Sequence, residues 1–102
     1  MTTQIEAGKV VAGTTGAGGW DVDVTVILDG VRHEGEVTLL PAESDGVTPS
    51  AWGGPDNWIS NGLLGVLRDL DGESFSDVLG EIEMAAFHAV KASGIAAVGA
   101  TE

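Results

Sequence analysis

The strongest pattern along the chain is an alternation. From Trp20 to Leu28 the apolar residues Trp20, Val22, Val24, Val26 and Leu28 interleave with Asp21, Asp23, Thr25 and Ile27, the period of two that marks a strand with one buried face. Asp29-Gly30 follows, a dipeptide suited to the positive φ angles of a two-residue type I′ turn. Val31 to Leu40 then resumes as a second strand, so the segment 20–40 reads as a β-hairpin. A two-residue loop fixes the register. On one face Leu28 meets Val31, Val26 meets His33, Val24 meets Gly35, Val22 meets Val37 and Trp20 meets Leu39. The other face pairs Ile27 with Arg32, Thr25 with Glu34, Asp23 with Glu36 and Asp21 with Thr38. The first face is apolar except at His33 and Gly35; the second is acidic.

Upstream, Ile5 to Ala12 is apolar enough for a further strand, and Gly13-Thr-Thr-Gly-Ala-Gly-Gly19 reads as a flexible connection. Three strands in sequence predict an antiparallel meander. Residues 41–57 carry Pro41, Pro49, Gly53, Gly54 and Pro55, which predicts a long loop that packs through its tryptophan. Helical spacing begins at Ile59, Leu63, Leu67 and Leu70, although Gly62 and Gly65 each cost about 1 kcal/mol against alanine in a helix interior. Asp71-Gly72 stops that helix, and Ser74 is the expected N-cap of a second one. In it Phe75, Val78, Leu79, Ile82, Ala86, Ala89 and Val90 form one stripe that should lie on the sheet, with Gly94 as the C-cap. The expectation is an α+β fold: a three-stranded sheet followed by two C-terminal helices packed on one face.

Length and composition agree with one small core. A chain of 102 residues buries roughly 60 to 70% of its unfolded surface, and 43% apolar with 20% charged residues is globular rather than disordered. We expect one domain over residues 1–102, with 95–102 as a disordered tail. Cysteine is absent, which excludes disulfides, thiolate metal sites and cysteine nucleophiles. Met1-Thr-Thr-Gln does not begin a signal peptide, and no apolar run approaches the roughly 18 residues of a membrane helix. A cytoplasmic protein without membrane contact is expected.

Sixteen acids against four bases give a net charge of -12, with eight acids and two bases in each half of the chain. Charge spread in this way covers the folded surface, repels nucleic acid and anionic lipid, and favours a basic protein partner.

Several constellations of reactive groups fail on context. Gly13-x-x-Gly16-x-Gly18 leads into a strand rather than a helix and is followed by no Gly-Lys-Ser/Thr, so it is a turn and not a phosphate cradle. Asp69, Asp71, Glu73 and Asp77 crowd together, but counting from Asp69 the sixth place of a calcium loop is Ser74 and the twelfth is Gly80. Capping and helix-dipole complementarity explain these acids better. His33 and His88 fall on different elements without ligand spacing, and Ser60, Ser74 and Ser76 lack a nucleophile-elbow context. Neither a metal, a cofactor nor a catalytic residue is expected.

Three features remain as candidate partner-binding positions. Trp52 and Trp58 flank Gly-Gly-Pro-Asp-Asn and either close the core or grip a sugar or a partner. Met84 and Phe87 fall on the helix side opposite the apolar stripe and suggest a homodimer or partner contact. Asp21, Asp23, Glu34 and Glu36 form the acidic hairpin face, in which Asp23 and Glu36 stand directly across the ladder as a like-charge pair. Such a pair costs some tenths of a kcal/mol, so folding gains nothing from it.

In size, acidity and lack of catalytic motifs the chain resembles the small inhibitors of bacterial defence carried by phages and mobile elements, such as anti-CRISPR and anti-restriction proteins. That resemblance of class implies a non-enzymatic inhibitor that occupies the basic site of a nucleic-acid-handling protein by charge mimicry. An oligomeric interaction protein and a small-ligand binder built on the tryptophan loop are the alternatives.

Overall fold

The computed structural model describes residues 2–13 and 19–95. Its elements run β1 (Thr3–Ala12), β2 (Trp20–Leu28), β3 (Val31–Pro41), β4 (Pro49–Ser50), α1 (Pro55–Trp58), α2 (Asn61–Leu67) and α3 (Gly72–Ser93). The strands form an antiparallel sheet in the order β1-β2-β3-β4, and the helices follow, which is the α+β arrangement expected from the pattern. Most of the glycine-rich connection, residues 14–18, and the tail from residue 96 lie outside the described residues.

The hairpin has the register the turn dictates. All nine pairs from Trp20↔Leu39 to Leu28↔Val31 are present, and Asp29 and Gly30 take φ angles of 49° and 86°, the left-handed pair of a type I′ turn. β1 adds a device that alternation alone does not reveal. Ala7 pairs with Val24 and Val10 with Val22, so one extra residue is accommodated at Gly8-Lys9 as a bulge. The bulge switches parity: Ile5 and Ala7 share the helix side before it, and Val10 takes that side after it while Val11 lies opposite Asp21.

Among the described residues the sheet has four strands rather than three. Within the segment read as a loop, Ser50 pairs with Leu40 and Pro49 with Pro41, and a carboxylate organises the return. Asp45 accepts the N–H groups of Val47 and Thr48 at 2.9 Å each, together with the Thr48 hydroxyl. These bonds, the Thr48 hydroxyl foremost, hold its carboxyl down at about 2.

Among the described residues the helices number three rather than two. Gly54 and Pro55 open α1, proline being suited to a first helical position. Ile59, expected inside a helix, is extended instead (φ -115°, ψ 137°) because its backbone bridges to Val37. The neighbouring Ser60 N–H donates to the Glu36 carbonyl at 2.9 Å, and the Glu36 N–H donates to Ser60 Oγ at 3.1 Å. This connection therefore covers part of the outer edge of β3, and α2 starts only at Asn61. α3 begins before the expected Ser74: Asp71 is the N-cap, its carboxylate accepting the Ser74 N–H at 2.9 Å. A charged oxygen is the stronger acceptor for an orphan helix donor. Gly94 ends α3 in the left-handed conformation as expected.

All of this builds one core on one side of the sheet. Trp20, Val22, Val24 and Val26 from β2 and Val37 and Leu39 from β3 pack with Leu63 and Leu67 of α2 and with Val78, Ile82, Ala86 and Val90 of α3. α3 lies over β1 and β2, and α2 against β3. The indole N–H of Trp20 donates to the Ile95 carbonyl at 2.7 Å, tying the end of α3 to the start of β2. The odd member of the apolar face, Gly35, has a steric reason: a Cβ there would lie 2.6 Å from Leu63 Cβ and 2.8 Å from Ser60 Oγ. Only the absence of a side chain lets α2 sit this close to β3.

We expect Gly35→Ala to lower stability by roughly 1–3 kcal/mol, since the clash is with backbone-anchored atoms. Gly80→Ala in α3, where a Cβ meets nothing within 4 Å, should raise stability by about 0.5–1 kcal/mol. Thermal melts of both variants check the pair; an unchanged melting temperature for Gly35→Ala would contradict the packing described.

Candidate functional site

One face of the sheet is buried under α2 and α3, and the other is open around the middle of the hairpin. On β2 the open side presents Asp23 as exposed and Thr25 and Ile27 as half-buried, and on β3 it presents Arg32, Glu34 and Glu36, all exposed. A shallow concavity there is lined by Asp23, Thr25, Glu34, Glu36 and Ser60, with backbone from Gly35. Asp23 and Glu36 are direct cross-strand partners. Glu6 of β1 extends the face, because it lies opposite Thr25 in the ladder. Its carboxylate takes a weak 3.4 Å bond from Gln4 and an ion pair with Arg32 at 3.8 Å.

Asp21 does not belong to this exposed group. It is only 8% exposed and accepts the hydroxyl of its cross-strand neighbour Thr38 at 2.9 Å. Its oxygen is thus a satisfied buried acceptor that joins β2 to β3. It still acts on the site through its charge. Burial first, then the carboxylates of Asp21 and Asp23, push the Glu36 carboxyl above the ordinary glutamate range. The open face is electrostatically strained at the point where Asp21, Asp23 and Glu36 converge.

No family model, curated protein or solved structure matches this chain.

The tryptophans separate. Trp58, the last residue of α1, is 7% exposed and belongs to the core, whereas Trp52 is 41% exposed on the loop before α1. They do not form one gripping surface. Met84 and Phe87 also divide. Met84 is 52% exposed on the flank of α3 beside β1, while Phe87, about 60° further round the helix, is half-buried with its ring edge-on to His88 at 5.5 Å. His33 is half-buried on the helix side of the sheet. Among the described residues no group of three or more His, Asp or Glu side chains is placed to hold a metal ion, and no helix is long and apolar enough to cross a membrane.

Two residues of the site escaped sequence reasoning. Glu6 could not be placed because the bulge at Gly8-Lys9 hides the register of β1. Ser60 could not be placed because nothing local signals that the chain returns to the edge of β3 there. The only available clue to Ser60 was Gly35, a gap in an otherwise apolar face that implied a close neighbour.

Glu36 gives a pH-dependent prediction. A carboxyl whose folded pKa is raised is a fixed cost above both its folded and unfolded pKa values, and the cost disappears where it is protonated in both states. Glu36→Gln should therefore stabilise the fold by a few tenths of a kcal/mol at neutral pH. That advantage should shrink as pH falls through the raised pKa and vanish below the ordinary value of about 4.3. Thermal melts of both proteins across that range check the sign; a variant less stable at neutral pH would contradict it.

Proposed function

We propose that this protein is a small acidic inhibitor or regulator that occupies the basic site of a nucleic-acid-handling protein. In this reading the carboxylates of the open sheet face take the place of phosphates, in the manner of an anti-CRISPR or anti-restriction protein. The observation that carries the reading is the Asp23–Glu36 pair, set directly across the ladder and reinforced by Glu34 and Glu6 on the same open face. Like charges placed so cost folding free energy, and a basic partner would relieve that cost on binding. The hairpin supports the role by rigidity: its register is pinned by the type I′ turn and by the buried residues on its other side, so the backbone positions that carry these acids are fixed before any partner arrives. The net charge of -12 adds steering toward a basic surface.

A second reading, an oligomeric interaction protein, draws on the exposure of Met84. Mass in solution distinguishes it from the first.

The test is capture from bacterial lysate on the immobilised protein, compared with a variant carrying Asp23→Asn, Glu34→Gln and Glu36→Gln. Asp21 is left intact because it holds Thr38. The expected result is a nucleic-acid-binding protein held by the native face, released by duplex DNA and by raised salt, and not held by the neutralised variant. A partner held equally by both forms, or one that duplex DNA does not displace, would contradict charge mimicry.

A further inference from the structure

β1 forms one margin of the sheet, and among the described residues no strand lies outside it. Ladder geometry determines which of its backbone groups point outward. Asp29 N–H donates to the Thr2 carbonyl at 2.9 Å, and in an antiparallel ladder hydrogen-bonded and non-hydrogen-bonded pairs alternate. Thr2, Gln4 and Glu6 therefore direct their backbone groups to β2, opposite Asp29, Ile27 and Thr25. Thr3, Ile5 and Ala7 direct theirs away from the sheet. The far margin obeys the same parity: carried across the hairpin, the alternation makes Glu36 point outward, and Glu36 indeed exchanges its backbone bonds with Ser60. Thr3, Ile5 and Ala7 all precede the bulge, so they make a regular, unkinked stretch of edge.

Carboxylates bracket this edge on both sides. On the helix side, Asp77 and Glu81 of α3 line a groove with Thr3 and Ile5 of β1. Exposed Met84 borders it, and Gly80 leaves a notch in which an added Cβ would meet nothing within 4 Å. A mid-helix glycine costs about 1 kcal/mol against alanine, and no packing in the fold requires this one. On the open side of the sheet stands Glu6, and Lys9 lies within the bulge.

We propose that the β1 edge docks an extended, lysine- or arginine-bearing segment of a protein partner, which adds as a further strand by pairing with Thr3, Ile5 and Ala7. Main-chain bonds supply the attachment, and the alternation of an added strand sends one set of its side chains toward Asp77 and Glu81 and the other toward Glu6. Opposite charge selects the occupant. A second copy of this chain would bring its own Asp77 and Glu81 to the same groove and another charge of -12, so it is the poorer fit. The edge shares only Glu6 with the open-face reading; otherwise it uses the backbone of β1 and the flank of α3 rather than Asp23, Glu34 and Glu36.

The experiment titrates a blocked peptide, Lys-Val-Lys-Val-Lys-Val-Lys, into isotope-labelled protein and follows amide hydrogen exchange. Exchange at Thr3, Ile5 and Ala7 should slow at least about tenfold at saturation, and the same peptide with glutamate for lysine should have no effect. Asp77→Asn with Glu81→Gln should weaken the protection, whereas Asp23→Asn with Glu34→Gln and Glu36→Gln should leave it in place. Failure of the edge and failure of the open face are thereby told apart. Unchanged exchange at the three β1 amides would overturn the proposal, wherever else the peptide binds. Protection already present in the free protein, at a solution mass of two chains, would overturn it in favour of a second copy.

Discussion

The two-residue turn at Asp29-Gly30 decides which side chains of β2 and β3 face the helices and which face away. A slip of one residue would put Asp21 and Asp23 under α3 and Val22 and Val24 on the outside. Each buried valine or leucine contributes roughly 1.5–3 kcal/mol, so the apolar set of β2 and β3 outweighs by a wide margin the tenths of a kcal/mol lost where Asp23 meets Glu36. The acidic face is possible because the opposite face has settled the register before its own repulsion counts. Both faces of the hairpin thus depend on one turn, and the candidate site inherits its precision from the core behind it.

The helices depend on the same register. Gly35 falls on the core side only because Val24 lies opposite it, and the missing side chain at Gly35 is what brings Leu63 and Ser60 against β3. Ser60 in turn closes the backbone of Glu36, so the carboxylate that its surroundings push above the ordinary range is anchored through its own main chain. Asp21 shows how one acid differs from its neighbours by environment alone. Buried and bonded to Thr38, it stitches the ladder, while Asp23 two residues on stays in solvent.

What was legible in the sequence followed from strict local rules. The hairpin register, the apolar stripe of α3 and the Gly94 cap each rest on a period or a turn chemistry, and each stands in the structure. What was not legible depended on contacts distant in sequence. β4 forms because Asp45 gathers the backbone of Val47 and Thr48 and folds the chain back onto Leu40 and Pro41. Ile59 leaves its helical pattern because Val37 offers a backbone partner. Asp71 rather than Ser74 caps α3 because its carboxylate accepts the N–H of Ser74 itself, which draws Gly72 and Glu73 into the first turn. For the candidate site, Asp23, Glu34 and Glu36 were legible from alternation, whereas the burial of Asp21 and the contribution of Glu6 required the third strand in its bulged register.

The central claim is that the open face carries its charge at a cost to folding. The most direct measurement is the melting temperature as sodium chloride is raised from low to physiological ionic strength, where the screening length falls from about 30 Å to about 8 Å. Native protein and the variant Asp23→Asn, Glu34→Gln, Glu36→Gln are compared. The account predicts that the variant is the more stable at low salt and that the native protein gains more from added salt, so the two curves converge. A variant that is less stable at low salt, or that gains as much from salt as the native protein, would show that these carboxylates serve the fold, and the claim would fail.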